Sequence, residues 1–334
     1  MPRTATIKDV ARLAGVSPTT VSHALGGKRP VSAATRRRVR EAADQLGYRP
    51  HPGARSLRGG ATGVIALCLT NLTGGALPFA EMEYYRRVVT AATQTALDEH
   101  FALVVVPETD SGVFWDRLLF DGAIIVDPVS EDLNMRTLEG RGVPCVSVGR
   151  HPDHPGAGCW VDNDPAAAAR LCLDHLADRG ARSIATITWL TTEYWTQESL
   201  RAYYDWCEER RQAPRLEVVE KDDEAALRAA AERLLLTEPR PDAVYSFSEL
   251  PALWVLRVAA EHGVRVPEDV MVVGTSDFGL GATSTPPMTT LDYNSDEHGH
   301  EAARLLISLV RGETPAVPRR ILPVTLIERE STAR

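Results

Sequence analysis

The charges of this 334-residue chain are sorted along its length. Residues 1–60 hold 12 Lys and Arg against three acids (Asp9, Glu41 and Asp44), a net of +9, while the other 274 residues hold 25 against 42, a net of −17. A small cationic head on a large anionic body is two physical units. The head is suited to a polyanion and the body is not. Ordinary globular composition, 44% hydrophobic and 25% charged, excludes collagen-like, wholly disordered and disulfide-scaffold classes.

The head reads as three short helices. Thr6 with Asp9 three positions on is a short-acid capping box, and Ile7, Val10, Ala11 and Ala14 then form one apolar stripe. Gly15 supplies the turn. Ser17-Pro18 restarts a helix, with Ser as cap and Pro at the first helical position. Val21, Ala24 and Leu25 face inward there, leaving Pro18, Thr19, Ser22 and His23 outward. A third helix starts at Ser32, buries Val39, Ala43 and Leu46, and stops at Gly47. Two short helices joined by a glycine turn are the helix-turn-helix arrangement, whose second helix fits the DNA major groove.

After Gly60 apolar strands alternate with amphipathic helices. Strands are expected at 63–69, 102–106, 122–126, 145–148, 183–188, 243–247 and 270–273, and helices at 165–179, 199–211, 223–236 and 251–262. Such alternation predicts parallel sheets with ligands at the strand C-terminal ends. No apolar run approaches the length of a membrane span. The opening Met1-Pro2-Arg3-Thr4 lacks the apolar core of a secretion signal, and five unspaced cysteines read as small buried hydrophobes, so a cytoplasmic location is expected.

Four segments of the head, taken in register, carry a resemblance: Thr6-Ile7-Lys8-Asp9-Val10-Ala11, Ala14-Gly15-Val16-Ser17-Pro18-Thr19-Thr20-Val21-Ser22, Val31-Ser32 with Thr35-Arg36, and Leu46-Gly47-Tyr48-Arg49-Pro50. They resemble the head of lactose-repressor/galactose-repressor (LacI/GalR) family regulators. Ala177-Asp178-Arg179-Gly180, Val266-Pro267-Glu268-Asp269-Val270, Pro287-Met288-Thr289-Thr290-Leu291 and the closing Arg329-Glu330-Ser331-Thr332 extend the likeness over nearly the whole chain. It implies an all-α helix-turn-helix DNA-binding domain at 1–48 and a hinge at 49–61. It also implies an α/β, two-lobed periplasmic-binding-protein-like body at 62–334, with lobe 1 about 62–161 and 293–321 and lobe 2 about 162–292 and 322–334.

The implied roles follow residue by residue. Pro18, Thr19 and His23 are placed to read base edges; His23 stands where most members carry Arg, which changes the base preferred. Thr6, Ser17, Thr20, Ser22, Ser32, Thr35 and Arg36 suit phosphate oxygens. A hinge helix would set Ala54 and Leu57 on one face against the minor groove, with Arg55 and Arg58 reaching phosphates and Leu57 as the wedge. Effector candidates are Tyr84, Tyr85, Asp127, Trp189, Trp195, Ser248, Glu249, Ser276 and Asp277, at strand ends or matching family pocket positions. Where members carry a pocket arginine this chain has Ser199, with Arg201 nearby. The stretch from 107 to 121 is short for its place, trimming one helix.

The reading is therefore a regulator, a repressor by class, that binds near-palindromic double-stranded DNA as a homodimer under control of a small molecule such as a sugar. No trailing heptad repeat suggests a tetramer. No cofactor or metal is expected: His151/His154 and His298/His300 read as surface histidines in loops. There is no Gly-x-Ser-x-Gly, phosphate-binding glycine-lysine loop or His-Glu-x-x-His, and Gly279-Leu280-Gly281 is too short for a dinucleotide fingerprint, so an enzyme is not expected. A solute-binding protein without gene control is the competing reading, and the cationic head argues against it.

Overall fold

The computed structural model describes residues 5–26, 31–48, 61–70, 83–107, 113–220, 223–275 and 279–334. The chain divides into two compact units, Met1–Thr62 and Gly63–Arg334.

In the first unit, α1 (Ile7–Ala14), α2 (Pro18–Gly26) and α3 (Ala33–Gln45) pack around Val10, Val21 and Val39, all fully buried, with alanines filling the gaps. The Asp9 carboxylate accepts from the Thr6 amide at 3.0 Å and the Thr6 hydroxyl at 2.6 Å, which starts α1. Gly15, at φ +63°, ends it in the left-handed region that glycine enters cheaply. α2 and α3 share one start device. Ser17 Oγ accepts from the Thr20 amide at 3.1 Å and Ser32 Oγ from the Thr35 amide at 3.2 Å. Leu46, expected in the core, is 37% exposed. It lies in the non-repeating turn after α3, and Ala42 takes the inward position.

The second unit holds two parallel sheets. The first contains β1 (Val64–Leu69), β2 (Ala102–Pro107), β3 (Ala123–Val126), β4 (Cys145–Val148), β5 (Trp160–Asp162) and β11 (Arg319–Ile321), in the order β11-β5-β4-β3-β1-β2. One face packs on α4 (Glu83–Asp98) and α12 (Ser295–Val310); the other packs on α5 (Val113–Arg117) and α6 (Leu133–Gly140). Side chains alternate accordingly, Ile65, Leu67 and Leu69 to the first face and Ala66 and Cys68 to the second. α5 is described over five residues. Gly299 lets α12 approach α4, since a Cβ there would clash with the Val88 carbonyl oxygen.

The second sheet runs β7-β6-β8-β9, from β6 (Ile184–Trp189), β7 (Leu216–Val219), β8 (Ala243–Ser246) and β9 (Met271–Val273). α7 (Pro165–Asp178) and α8 (Tyr194–Glu209) cover one face; α9 (Glu224–Leu236) and α10 (Glu249–Glu261) cover the other. A short α11 (Leu280–Thr283) follows β9. β10 (Thr290–Asp292) and β12 (Thr325–Ile327) form a separate antiparallel pair.

The chain passes between the lobes after β5, after β10 and after β11. These crossings are stitched together: Leu322 N donates to Asp162 O at 2.7 Å, and Asn163 Nδ2 donates to the Tyr293 carbonyl at 3.2 Å and the Leu322 carbonyl at 2.9 Å. One side chain thus holds all three passages.

Several expectations change. α8 starts five residues before the expected 199, and α10 starts at Glu249 rather than at 251. His298 and His300 lie on α12 rather than in a loop. His298 is buried, and the His300 ring nitrogen shares a hydrogen bond with Thr95 Oγ1 at 2.8 Å. Cys145 and Cys159 are half-buried rather than buried.

Candidate functional site

α2 presents the head's candidate reading surface. Pro18 and Thr19 are exposed in its first turn, and Ser22 and His23 follow one turn later on the same face. The neighbouring hydroxyls are engaged as caps. Ser17 Oγ lies 2.9 Å from Thr20 Oγ1, and Ser32 Oγ lies 2.9 Å from Thr35 Oγ1. Each pair has two hydroxyl protons and shares one hydrogen bond, so each keeps one O–H for an outside acceptor. The Thr6 hydroxyl is committed to Asp9. Arg36 is half-exposed on α3. Ala54, Arg55, Leu57 and Arg58 lie outside the described residues.

In the body a cleft of about 960 Å³, continuous with solvent, opens between the two lobes at the C-terminal ends of the strands. Six sequence candidates line it together: Tyr84, Tyr85, Asp127, Trp189, Trp195 and Ser248. Tyr84 and Tyr85 come from the first turn of α4. Asp127 leaves β3 at φ +51°, beside Gly149, where an added Cβ would lie 3.4 Å from its carboxylate. Trp189 ends β6, and Trp195 stands on α8 because that helix begins early. Tyr84, Tyr293 and Trp195 meet edge to face, with centroid separations of 6.0 and 4.7 Å. The Trp195 indole N–H is buried without a hydrogen-bond partner among the described residues.

Glu249 is a correction. It is fully buried at the start of α10, and its Oε1 accepts from the Gly281 amide at 2.6 Å, so it anchors α11 instead of lining the cleft. Ser276 and Asp277 fall outside the described residues. Ser199 is buried and does not line the cleft, and the exposed Arg201 pairs with Glu198.

The cleft's arginine is Arg150, two residues past β4. Its Nε donates to the Asp162 carboxylate at 2.8 Å and its Nη2 to the Asn163 carbonyl at 2.6 Å. Its guanidinium lies 4.8 Å from the Trp160 ring and 4.5 Å from the Tyr194 ring, and Nη1 donates to the Tyr194 hydroxyl at 3.2 Å. Tyr194 belongs to the opposite lobe, so Arg150 spans the cleft floor. Burial lifts the Asp162 carboxyl above its ordinary range, and Arg150 offsets part of that rise. Burial first, then the charge of Asp127, pushes the phenols of Tyr84 and Tyr85 well up.

The strand-end rule that found Asp127 applies equally to Arg150. Glu193, Tyr194 and Thr196 escaped because the helix was expected to start at 199. Tyr293 and Asn163 carried no signal beyond the crossings themselves. Among the described residues no group of three or more His, Cys, Asp or Glu is placed to hold a metal.

A family model described as a periplasmic binding protein-like domain matches residues 173–332, and one described as bacterial regulatory proteins, lacI family, matches residues 6–51. The HTH-type transcriptional regulator CelR of Thermobifida fusca is 33% identical over 98% of both chains. The chain belongs to the lacI family of bacterial regulatory proteins. The HTH-type transcriptional repressor PurR of Aliivibrio salmonicida is 28% identical over 92% of both chains. A solved CelR–cellobiose complex superposes with a TM-score of 0.74 at 29% identity, covering 98% of this chain and 99% of that one. A lac repressor dimer bound to operator and the anti-inducer ONPF shares the fold, with a TM-score of 0.79 at 24% identity over 99% of both chains. This lacI-family chain is an effector-controlled, DNA-binding transcriptional regulator and not an enzyme. No helix among the described residues is long and apolar enough to cross a membrane.

Proposed function

We propose that this regulator is a cytoplasmic, homodimeric repressor of a near-palindromic operator, released or recruited by a sugar-like ligand held in the interlobe cleft. The outward face of α2, in a segment of net +9, carries the DNA half of the reading. Pro18, Thr19 and His23 read base edges. Thr6, Ser17, Thr20, Ser22, Ser32, Thr35 and Arg36 fix the register on phosphates, with Thr6 exchanging its Asp9 partner for the backbone. Ala54, Arg55, Leu57 and Arg58 form the minor-groove hinge. Two heads dock in half-sites about 34 Å apart. The aromatic lining of the cleft supports the ligand half: flat rings offer apolar faces to a sugar, and neighbouring carboxylates accept its hydroxyls.

Fluorescence anisotropy on the full-length protein with an operator duplex and a scrambled duplex tests the DNA half. Sequence-dependent affinity that falls steeply with salt is expected. Leu57→Ala is expected to weaken operator binding strongly without changing ligand affinity. Equal affinity for both duplexes overturns the reading, and unchanged operator affinity in Leu57→Ala removes the wedge. A thermal-shift panel of cellobiose, maltose and hypoxanthine tests the ligand half. Stabilisation by hypoxanthine and by no sugar overturns it.

A further inference from the structure

Among the described residues that line the cleft, Arg150 is the one cation, and its donors are already engaged. Nε donates to Asp162 Oδ2 at 2.8 Å and Nη2 to the Asn163 carbonyl at 2.6 Å, which takes one edge of the guanidinium. Nη1 donates to the Tyr194 hydroxyl at 3.2 Å, so the other edge is partly taken as well. A carboxylate or phosphate grips arginine best through two parallel N–H bonds along one edge, and neither edge is free for that. The Trp160 and Tyr194 rings lie over the same group, whose side chain is 13% exposed. Asp162 is fixed in turn. Its Oδ2 also accepts from the Arg150 amide at 3.2 Å, and its Oδ1 accepts from the Asn163 amide at 2.8 Å. An anionic ligand could take Arg150 only by stripping a buried carboxylate of its counter-charge, which is costly.

Among the described residues no second cation takes its place. Arg87, three residues after Tyr84 on α4, is bound to Asp296 at 2.7 Å and does not line the cleft. Five of the described helices begin beside lining residues, and each carries an acid at its cap or in its first turn: Glu83 on α4, Asp164 on α7, Glu193 on α8, Glu249 on α10 and Asp296 on α12. The positive helix ends that would draw an anion are thus already matched with negative charge. Of the body segments outside the described residues, 71–82, 108–112 and 276–278 contain no Lys, Arg or His, and the fourth is Lys221-Asp222. Resting on the sugar-like reading of the cleft above, we infer that Arg150 sets specificity by being withheld: it ties lobe 1 to Tyr194 of lobe 2 and leaves the cleft to an uncharged polyhydroxyl ligand, not a phosphorylated or acidic one. An anion entering here would give up its hydration and meet a cation that Asp162 has already neutralised. A neutral sugar gives up only hydroxyl–water bonds, which polar groups of the cleft can restore.

Isothermal titration of the full-length protein with cellobiose, maltose and the 6′-phosphates of both tests this. The neutral member of whichever pair binds is expected to bind at least about tenfold tighter than its phosphate. Asp162→Asn removes the counter-charge and releases Arg150, so the phosphate-to-neutral affinity ratio should rise by about tenfold or more. A merely structural role for the pair predicts that both members of the binding pair weaken by one factor, with the ratio unchanged. Tyr194→Phe keeps the charge pair and the ring and loses one hydrogen bond, so its ratio should stay within about threefold of the parent's. The parent protein carries the first comparison, which therefore decides the matter even if the melting transition shows that Asp162→Asn has lost its fold. A phosphate binding as tightly as its neutral partner, or an unchanged ratio in folded Asp162→Asn, overturns this inference and leaves the sugar reading standing. Binding by none of the four overturns both.

Discussion

The head and the body bury apolar surface in opposite ways. The head's core contains three valines and five alanines, with Ile7, Val16, Leu25, Val31 and Tyr48 packed at its edge. The body's lobes enclose Trp115, Trp206, Tyr203 and Tyr245 with many Ile and Leu side chains, all fully buried. Burying an alanine removes little area from water, whereas a large aliphatic side chain contributes about 1.5–3 kcal/mol. The head is therefore held by helix caps and a few valines. The body has apolar surface to spare for two sheets and an open cleft between them. A unit that must present one helix face to DNA needs only enough core to keep three short helices in register. A unit built of two lobes needs an apolar core in each of them.

The largest test of this contrast is Val39→Asp. Val39 is fully buried where α3 meets α1 and α2. An unpaired carboxylate there costs several kcal/mol, comparable to the whole stability of a unit this small, about 3–9 kcal/mol. Operator binding should be lost, while ligand titration and the main calorimetric transition of the body stay as in the parent. Retention of operator affinity within about threefold would refute the account of the head's core.

Acid probes the body from the other side. His298, buried where α12 meets α4, has its pKa pushed down to about 4 by desolvation. The unfolded chain binds this proton near pH 6.5, but the folded chain does so only near pH 4. Protonation thus favours unfolding. The stability that neutral His298 allows is fully present above about pH 6.5 and is lost as the pH falls towards 4, by about 3 kcal/mol in all. The body's melting temperature should drop across that window, and His298→Gln should flatten the drop. A slope unchanged in His298→Gln assigns the acid sensitivity elsewhere.

Much of this was legible in the sequence because local rules and global fold agree. The head's helix starts are written in Thr6/Asp9, Ser17-Pro18 and Ser32, all of which cap as their residue types require. Strands 64–69 and 145–148 are short apolar runs between turn residues. The signals failed where an element was too short or too polar to show a period. β11 is Arg-Arg-Ile, β10 is Thr-Leu-Asp, and β5 is Trp-Val-Asp; each is a strand because a neighbour pairs with it. The sequence hides the start of α8 because its cap is Glu193, whose side chain makes no capping bond, and its first turn is aromatic. That single misplaced boundary hid Glu193 and Tyr194 from the cleft. Glu249 was assigned to the cleft by its place after a strand. Only tertiary packing, which carries Gly281 to its carboxylate, could reassign it.

The smallest effect gives the sharpest comparison, because it applies one chemical change to both units. Ser17 caps α2 in the head, and Asp223 caps α9 in the body by accepting from the Ala226 amide at 2.8 Å. Replacing either by Ala removes one cap of about 1 kcal/mol. The same loss is divided over different unfolding entropies. A unit the size of the head should shift its melting by about 4–8 °C, and one the size of the body by about 2 °C. Differential scanning calorimetry of the full-length chain without DNA separates the two transitions. Ser17→Ala should move the head's transition alone, and Asp223→Ala should move the body's alone by less. Equal shifts would mean that the two units unfold together, and that the head's thin alanine core draws its stability from the body.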